Sequence, residues 1–195
     1  VKELSRLRRV NCMLQGHPVC LYTPGIEAST GSLGHGLSFA NGVALAGRLD
    51  KKDYHVYVML GDGETDEGQI WEGATAASHY HLGNLTAMID RNFLQIDGNT
   101  EDVLQLENVV DRWQAFGWHV LEVDGHDLVE IYDAFQEAKA ITNKPSMIVL
   151  NTVKGKGVSF MENNVDFHGV PPNEMEFKMA MEELDLVKEK LEGSS

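Results

Sequence analysis

The sequence is poor in cysteine, in positive charge and in long apolar runs, and each shortage excludes a class of protein. Its 195 residues hold two cysteines, Cys12 and Cys20. Two thiols in an acidic chain read as free and reduced, which points to a cytoplasmic setting rather than a disulfide framework. There are 16 cationic against 30 anionic residues, a net charge of −14. No nucleic-acid partner is expected, because phosphate backbones are held by clustered Lys and Arg. No apolar run approaches the ~20 residues that a membrane-spanning helix needs. No basic-then-apolar leader stands at the start, so no membrane association is expected either. An initiator methionine is also lacking: the sequence starts at Val1 and closes on Gly193-Ser194-Ser195, which resembles a cloning remnant. The natural chain is therefore expected to start earlier.

What is present is enough apolar material, 43%, for a real core. Residues 1–9 read as the end of a basic helix, and 10–33, with glycines and prolines, as a long loop. Helices are expected over 34–49, 67–82, 107–116, 127–142 and 174–192. Extended segments are expected over 55–60, 85–90, 118–123 and 146–152, with a short one at 94–96. Strands alternating with helices predict an α/β fold: a parallel sheet with helices on both faces. Gly36, Ala40, Ala44 and Gly47 fall near one face of the first long helix, which predicts core packing, with an interface as the alternative. The last helix carries seven acidic against three basic residues and reads as mostly solvated. No repeat or linker interrupts the chain, so residues 1–195 are read as one domain.

The chemistry is concentrated after the first strand. Gly61-Asp62-Gly63 sets a carboxylate on a turn without side-chain bulk on either side. In a parallel sheet, ligands bind beyond the carboxyl ends of strands, where such a group suits a hard cation beside phosphate. Asp-Gly is also an ordinary turn dipeptide. The second half is Asp90-Arg91-Asn92, with Asn92 thirty residues after Asp62, at the end of the next strand. A carboxylate, an amide oxygen and a backbone carbonyl can hold one octahedral Mg²⁺.

The stretch GDGETDEGQIWEGATAASHYHLGNLTAMIDRNFLQIDG resembles the thiamine-diphosphate motif, in its transketolase form. Glu67-Gly68, Trp71-Glu72 and Leu82-Gly83-Asn84-Leu85 follow that form. PGIEASTGSLGHGLSFANGVALA, Leu14-Gln15-Gly16-His17-Pro18, Val123-Asp124-Gly125-His126-Asp127 and KGKGVSFMENNVDFHG are also similar to transketolase segments.

The resemblance implies a thiamine-diphosphate-binding fold and specific roles. Asp62 and Asn92 would hold Mg²⁺ (or Ca²⁺ or Mn²⁺) through side chains, and Leu94 through its carbonyl. Gly31, Ser32 and Leu33 would run along the cofactor. Gly61, Gly63 and Glu64, with Asn92, would lie near the diphosphate. His168 would contact diphosphate and substrate, and His17 would line the substrate funnel; both are expected to assist proton transfer. Glu67 and Glu72 resemble glutamates of a carboxylate network across a dimer interface. His126 is read as structural, and His79 and His81 as surface or packing residues. A zinc site of His17, His35 and His168 is disfavoured, since no compact spacing supports it. Lys154-Gly155-Lys156-Gly157 lacks the spacing of a P-loop.

At position 32 many family members have Pro, and at position 35 often Gln, where this chain has Ser32 and His35. The family's opening segment and its whole second domain, which binds the aminopyrimidine ring, are missing. The implied molecule is the amino-terminal subunit of a split transketolase. It would move a two-carbon ketol unit between sugar phosphates, with a carboxy-terminal partner carrying the pyrimidine-binding domain, as an α2β2 assembly. The acidity predicts that the partner supplies much of the positive charge for substrate phosphate. The alternatives are a 2-oxo-acid dehydrogenase α subunit, a deoxyxylulose-phosphate synthase type, or a fragment without activity of its own. The Glu67 and Trp71-Glu72 pattern speaks against the synthase.

Overall fold

The computed structural model describes residues 3–193. Four parallel strands form the central sheet in the order β1-β2-β6-β5: β1 Val56–Gly61, β2 Leu85–Arg91, β6 Ser146–Asn151 and β5 His119–Asp124. All neighbours are parallel, with Gly61 level with Asp90 and Asp90 level with Leu150. β2 and β6 are buried along almost their whole length because both of their faces are covered.

Three helices cover one face: α1 His35–Leu49, α2 Gly68–His79 and α4 Val109–Ala115. Their buried residues, among them Leu37, Ile70 and Trp113, pack with Leu85, Ala87, Ile89, Met147 and Val149 of the sheet. Gly36, Ala40, Ala44 and Gly47 are all buried, so the small-residue stripe of α1 serves core packing. The other face carries α5 Leu128–Ala140, whose Ala134 and Ala138 pack on Met88, Ile148 and Leu150. That cover stops short of β1, where Tyr57 and Met59 remain 47% and 55% exposed.

Several expectations need correcting. The basic helix over 1–9 is one 3-10 turn, Leu4–Arg6; Val1 and Lys2 lie outside the described residues. Its apolar Leu4, Leu7 and Val10 find no core, so nothing supports a longer helix. The segment at 94–96 is an antiparallel pair, β3 Leu94–Gln95 with β4 Gly98–Asn99. A further short helix, α3 Thr100–Val103, follows, capped by the Asn99 side chain on Glu101 N. The loop over 153–173 contains a 3-10 turn at Val165–His168. The last helix, α6 Glu174–Gly193, forms as expected; the tail residues Ser194 and Ser195 lie outside the described residues.

Candidate functional site

The parallel register fixes the site. β1 ends at Gly61 and β2 at Arg91, with Gly61 opposite Asp90. Asp62 and Asn92 therefore leave the sheet at the same carboxyl edge, side by side. Both are buried, at 2% and 6% exposure. A main-chain to side-chain bond ties the two turns together: Phe93 N donates to Asp62 Oδ2 at 2.6 Å. Asp62 Oδ1 accepts from Gly63 N at 2.8 Å, and Leu94 N donates to Asn92 Oδ1 at 3.0 Å. Asp62, Asn92 and the Leu94 backbone are thus one cluster.

Phe93 holds this turn at φ 63°, a conformation that costs free energy for a bulky side chain. Its N–H is bound to Asp62, its carbonyl accepts from Thr100 N at 3.0 Å, and its ring lies 3.9 Å from the Arg91 guanidinium carbon. Gly63 is required for space, since a Cβ there would stand 2.7 Å from Gln95 Cβ.

Burial drives the Asp62 carboxyl above its ordinary value, opposed by the amides of Gly63 and Phe93 and by the Arg91 charge. The donor set is one carboxylate, one amide oxygen and a backbone segment, all oxygen and with a single formal charge. It fits a hard divalent cation, which would offset the desolvation of Asp62. Among the described residues, no three His, Cys, Asp or Glu side chains gather in a way that could hold a metal.

The loop before α1 is stitched to this edge by Glu64. Its carboxylate accepts from Gly34 N at 2.9 Å and from Gly61 N at 3.0 Å. Gly31, Ser32 and Leu33 stay exposed along that loop. His17 lies against Gly31: a Cβ on Gly31 would stand 2.9 Å from the His17 Cγ. His168 ends the 3-10 turn that packs on β3. Burial and then Lys154 hold its imidazole below the ordinary value, while Asp62 pulls it back. His168 therefore senses both Asp62 and a cation of its own chain. His17 and His168 lie on separate segments, one against Gly31 and the other on the turn beside β3.

Glu67 and Glu72 are both exposed, Glu67 at the N-cap of α2. His126 accepts from Val153 N at 2.8 Å and so joins two strand ends, in keeping with its structural reading. His79 and His81 are exposed. Cys12 and Cys20 are free.

The residue that sequence reasoning missed is Arg91. It is 2% exposed and donates to Thr100 Oγ1, Glu101 Oε1 and Glu107 Oε1 at 2.8, 2.7 and 2.8 Å. The signal was its place inside Asp-Arg-Asn at the end of an apolar strand, where an uncompensated charge could not stay. Asp90 was likewise overlooked; its carboxylate accepts from the Thr152 hydroxyl and fastens β2 to the segment after β6.

A family model described as the transketolase thiamine diphosphate binding domain matches residues 1–191. The chain belongs to the transketolase family. It is 47% identical over 180 residues to an apulose-4-phosphate transketolase subunit of Phocaeicola vulgatus, covering 92% of this chain and 64% of that protein. It is 46% identical over 185 residues to the 6-deoxy-6-sulfo-D-fructose transketolase subunit SqwG of a Clostridium species, covering 95% and 67%. The Campylobacter jejuni transketolase structure superimposes with a TM-score of 0.87 at 33% identity, over 93% of this chain and 29% of that one. The Pichia stipitis transketolase in complex with sedoheptulose 7-phosphate gives 0.85 at 36%, over 92% and 28%. This transketolase-family chain thus spans about two thirds of the subunit relatives and under a third of these crystallised chains. The α/β architecture is that of the transketolase thiamine-diphosphate-binding domain. No helix among the described residues is long and apolar enough to cross a membrane.

Proposed function

We propose that this chain is the diphosphate-binding subunit of a two-subunit transketolase. The observation that carries the reading is the buried Asp62–Asn92 cluster, closed by the 2.6 Å bond from Phe93 N, in a chain that matches the transketolase domain over residues 1–191. Two relatives are themselves called subunits of transketolases.

Asp62 and Asn92, with the Leu94 carbonyl, would hold Mg²⁺ against the diphosphate. Gly31, Ser32 and Leu33 would line the cofactor, with Gly61, Gly63 and Glu64 beside the diphosphate. When bound, thiamine diphosphate supplies the nucleophilic thiazolium carbon needed for two-carbon ketol transfer. His168, held below the ordinary imidazole value, is neutral near pH 7 and can accept a proton from a substrate hydroxyl. His17, on the loop beside Gly31, is the second candidate for proton transfer. Glu67 and Glu72, exposed on one segment, are offered as interface carboxylates toward a second subunit.

Both subunit relatives carry the name of a ketose with an anionic group, a phosphate in one and a sulfo group in the other. A ketose with an anionic end is accordingly the proposed donor. The remaining cationic charge and the pyrimidine side of the site would come from a carboxy-terminal partner in an α2β2 assembly, in the cytoplasm. The test is to mix the purified chain with a pyrimidine-domain partner and assay ketol transfer with thiamine diphosphate and Mg²⁺. Activity only in the mixture supports the reading. Full activity of the chain alone, or turnover of pyruvate in place of ketose phosphate, overturns it.

A further inference from the structure

The opposite edge of the sheet holds a second, differently built feature. There the ends of α1, α2 and α5 meet the starts of β1 and β2 around a cleft of about 550 Å³. Arg48, Lys52 and Lys139 line it with His55 and His81, against a single carboxylate, Asp53. In a chain of net charge −14 such a gathering of cations is unusual. None of the three forms an ion pair among the described residues.

The walls are fixed by packing. Arg48 donates to the Tyr80 and His81 carbonyls at 2.5 and 3.2 Å, which holds its guanidinium across the end of α2. Tyr54 packs over Gly47, and its hydroxyl donates to the Val43 carbonyl at 3.0 Å. Gly83 lets the Thr142 backbone close the floor, because a Cβ there would stand 2.1 Å from the Thr142 carbonyl oxygen. His55 is anchored to Thr86 Oγ1 at 2.8 Å, and burial, then the Lys139 charge, hold it below the ordinary imidazole value. Helix C-termini attract cations, and Arg48 serves that purpose. Helix ends do not account for a standing cleft in which, among the described residues, neither Lys52 nor Lys139 is ion-paired and Asp53 is the one carboxylate of the lining.

We propose that this cleft binds a phosphate-type dianion, free or as the end group of a phosphorylated metabolite. Arg48 on α1, Lys52 in the link to β1 and Lys139 on α5 converge on one opening, and a tetrahedral oxyanion accepts from several donors at once. The cleft is distinct from the Asp62 cluster: the length of β1 separates them, six residues or roughly 20 Å at ~3.3 Å per residue. An anion here would bridge the ends of α1 and α5 and the link between α1 and β1.

Amide NMR of the full chain, titrated at constant ionic strength with inorganic phosphate and with glycerol 3-phosphate, tests this. Saturable shifts of the Lys52, Asp53, His81 and Gly83 amides are expected. The Lys52→Glu/Lys139→Glu variant should bind about tenfold more weakly or worse. The Lys178→Glu/Lys188→Glu variant, of the same net charge, should bind as the parent does. Tighter binding of glycerol 3-phosphate would assign the site to esters, and tighter binding of phosphate to the free anion; either supports it. Absence of saturable shifts in the cleft, shifts confined to the Gly63 and Asn92 amides, or equal loss in the control variant overturns it. Should charge reversal prevent folding, Lys52→Gln/Lys139→Gln carries the same expectation, and unchanged binding by that variant also overturns the proposal.

Discussion

The Arg91 guanidinium stands 3.4 Å from Asp62 Oδ2, and both side chains are 2% exposed. Glu101 and Glu107 complete the arrangement at 2.7 and 2.8 Å, so one cation answers three carboxylates and ties the 99–108 segment to the Asp62 turn. Removing one partner of a buried pair leaves an uncompensated charge, whereas a half-exposed partner is screened. Arg91→Met is expected to cost about 3–5 kcal/mol. Glu107→Gln, at a side chain 46% exposed, should cost about 1 kcal/mol or less. Urea unfolding of the two variants checks the contrast; equal losses would show that Arg91 is not the hub.

The Asp62 cluster predicts cation binding that can be seen without turnover. Mg²⁺ together with thiamine diphosphate should raise the melting temperature of the parent chain with its partner. Asp62→Asn keeps the shape and one oxygen acceptor, for Phe93 N or for Gly63 N but not for both, and removes the charge. It should weaken cation affinity by about tenfold or more, equivalent to roughly 1.4 kcal/mol, with an unchanged circular dichroism spectrum. Asn92→Ala should act in the same direction. A melting shift in Asp62→Asn equal to the parent's would remove Asp62 from the cation site.

Much of this edge was legible in the sequence because its information is local. Gly-Asp-Gly after an apolar run and Asp-Arg-Asn after the next one place Asp62 and Asn92 once two strands are parallel and adjacent. β1 and β2 are parallel neighbours joined by the α2 crossover, and the register then brings Gly61 beside Asp90. What stayed hidden depends on long-range contacts. Arg91 reads as one more charge until Glu101 and Glu107 fold back over it. The resemblance puts Glu64 near the diphosphate, but its tie between two segments shows only once Gly34, thirty residues earlier, stands beside Gly61. The short β4 and α3 carry too few residues for a periodic signal, and side-chain caps decide them. Residues 3–9 show the reverse: local helix propensity without an apolar surface to pack against gives only one turn.

The Glu183 side chain of α6 is bonded to the loop that leads to His168. Ser159 donates to Glu183 twice, from its N–H at 2.6 Å and its hydroxyl at 2.7 Å. These bonds hold the Glu183 carboxyl below the ordinary range. Glu183→Ala should loosen residues 153–163 and with them the approach to the turn at Val165–His168. Limited proteolysis is expected to cut the variant in this loop at least about twofold faster than the parent, with little change in global stability because the pair is exposed. Cleavage at the parent's rate would show that the loop is held by other contacts.

His55 contributes to the pH dependence of stability. Burial, and secondarily the Lys139 charge, lower its pKa from the ordinary 6.5. The folded state therefore releases the proton more readily than the unfolded state does. Above the unfolded value neither state carries it, and the contribution of neutral His55 is fully present. As pH falls below that value, the unfolded chain takes up the proton first, so stability drops until the folded value is passed and then levels off. Below it His55⁺ also faces Lys139 in the same cleft. His55→Gln cannot protonate and can keep the hydrogen bond to Thr86, so its stability should fall less between pH 7 and pH 5. The check is urea unfolding of both proteins across that interval, read as the difference between them. A parent that loses no more stability than His55→Gln would mean that the imidazole titrates alike in the folded and unfolded states, and that the burial seen around it carries no energetic weight.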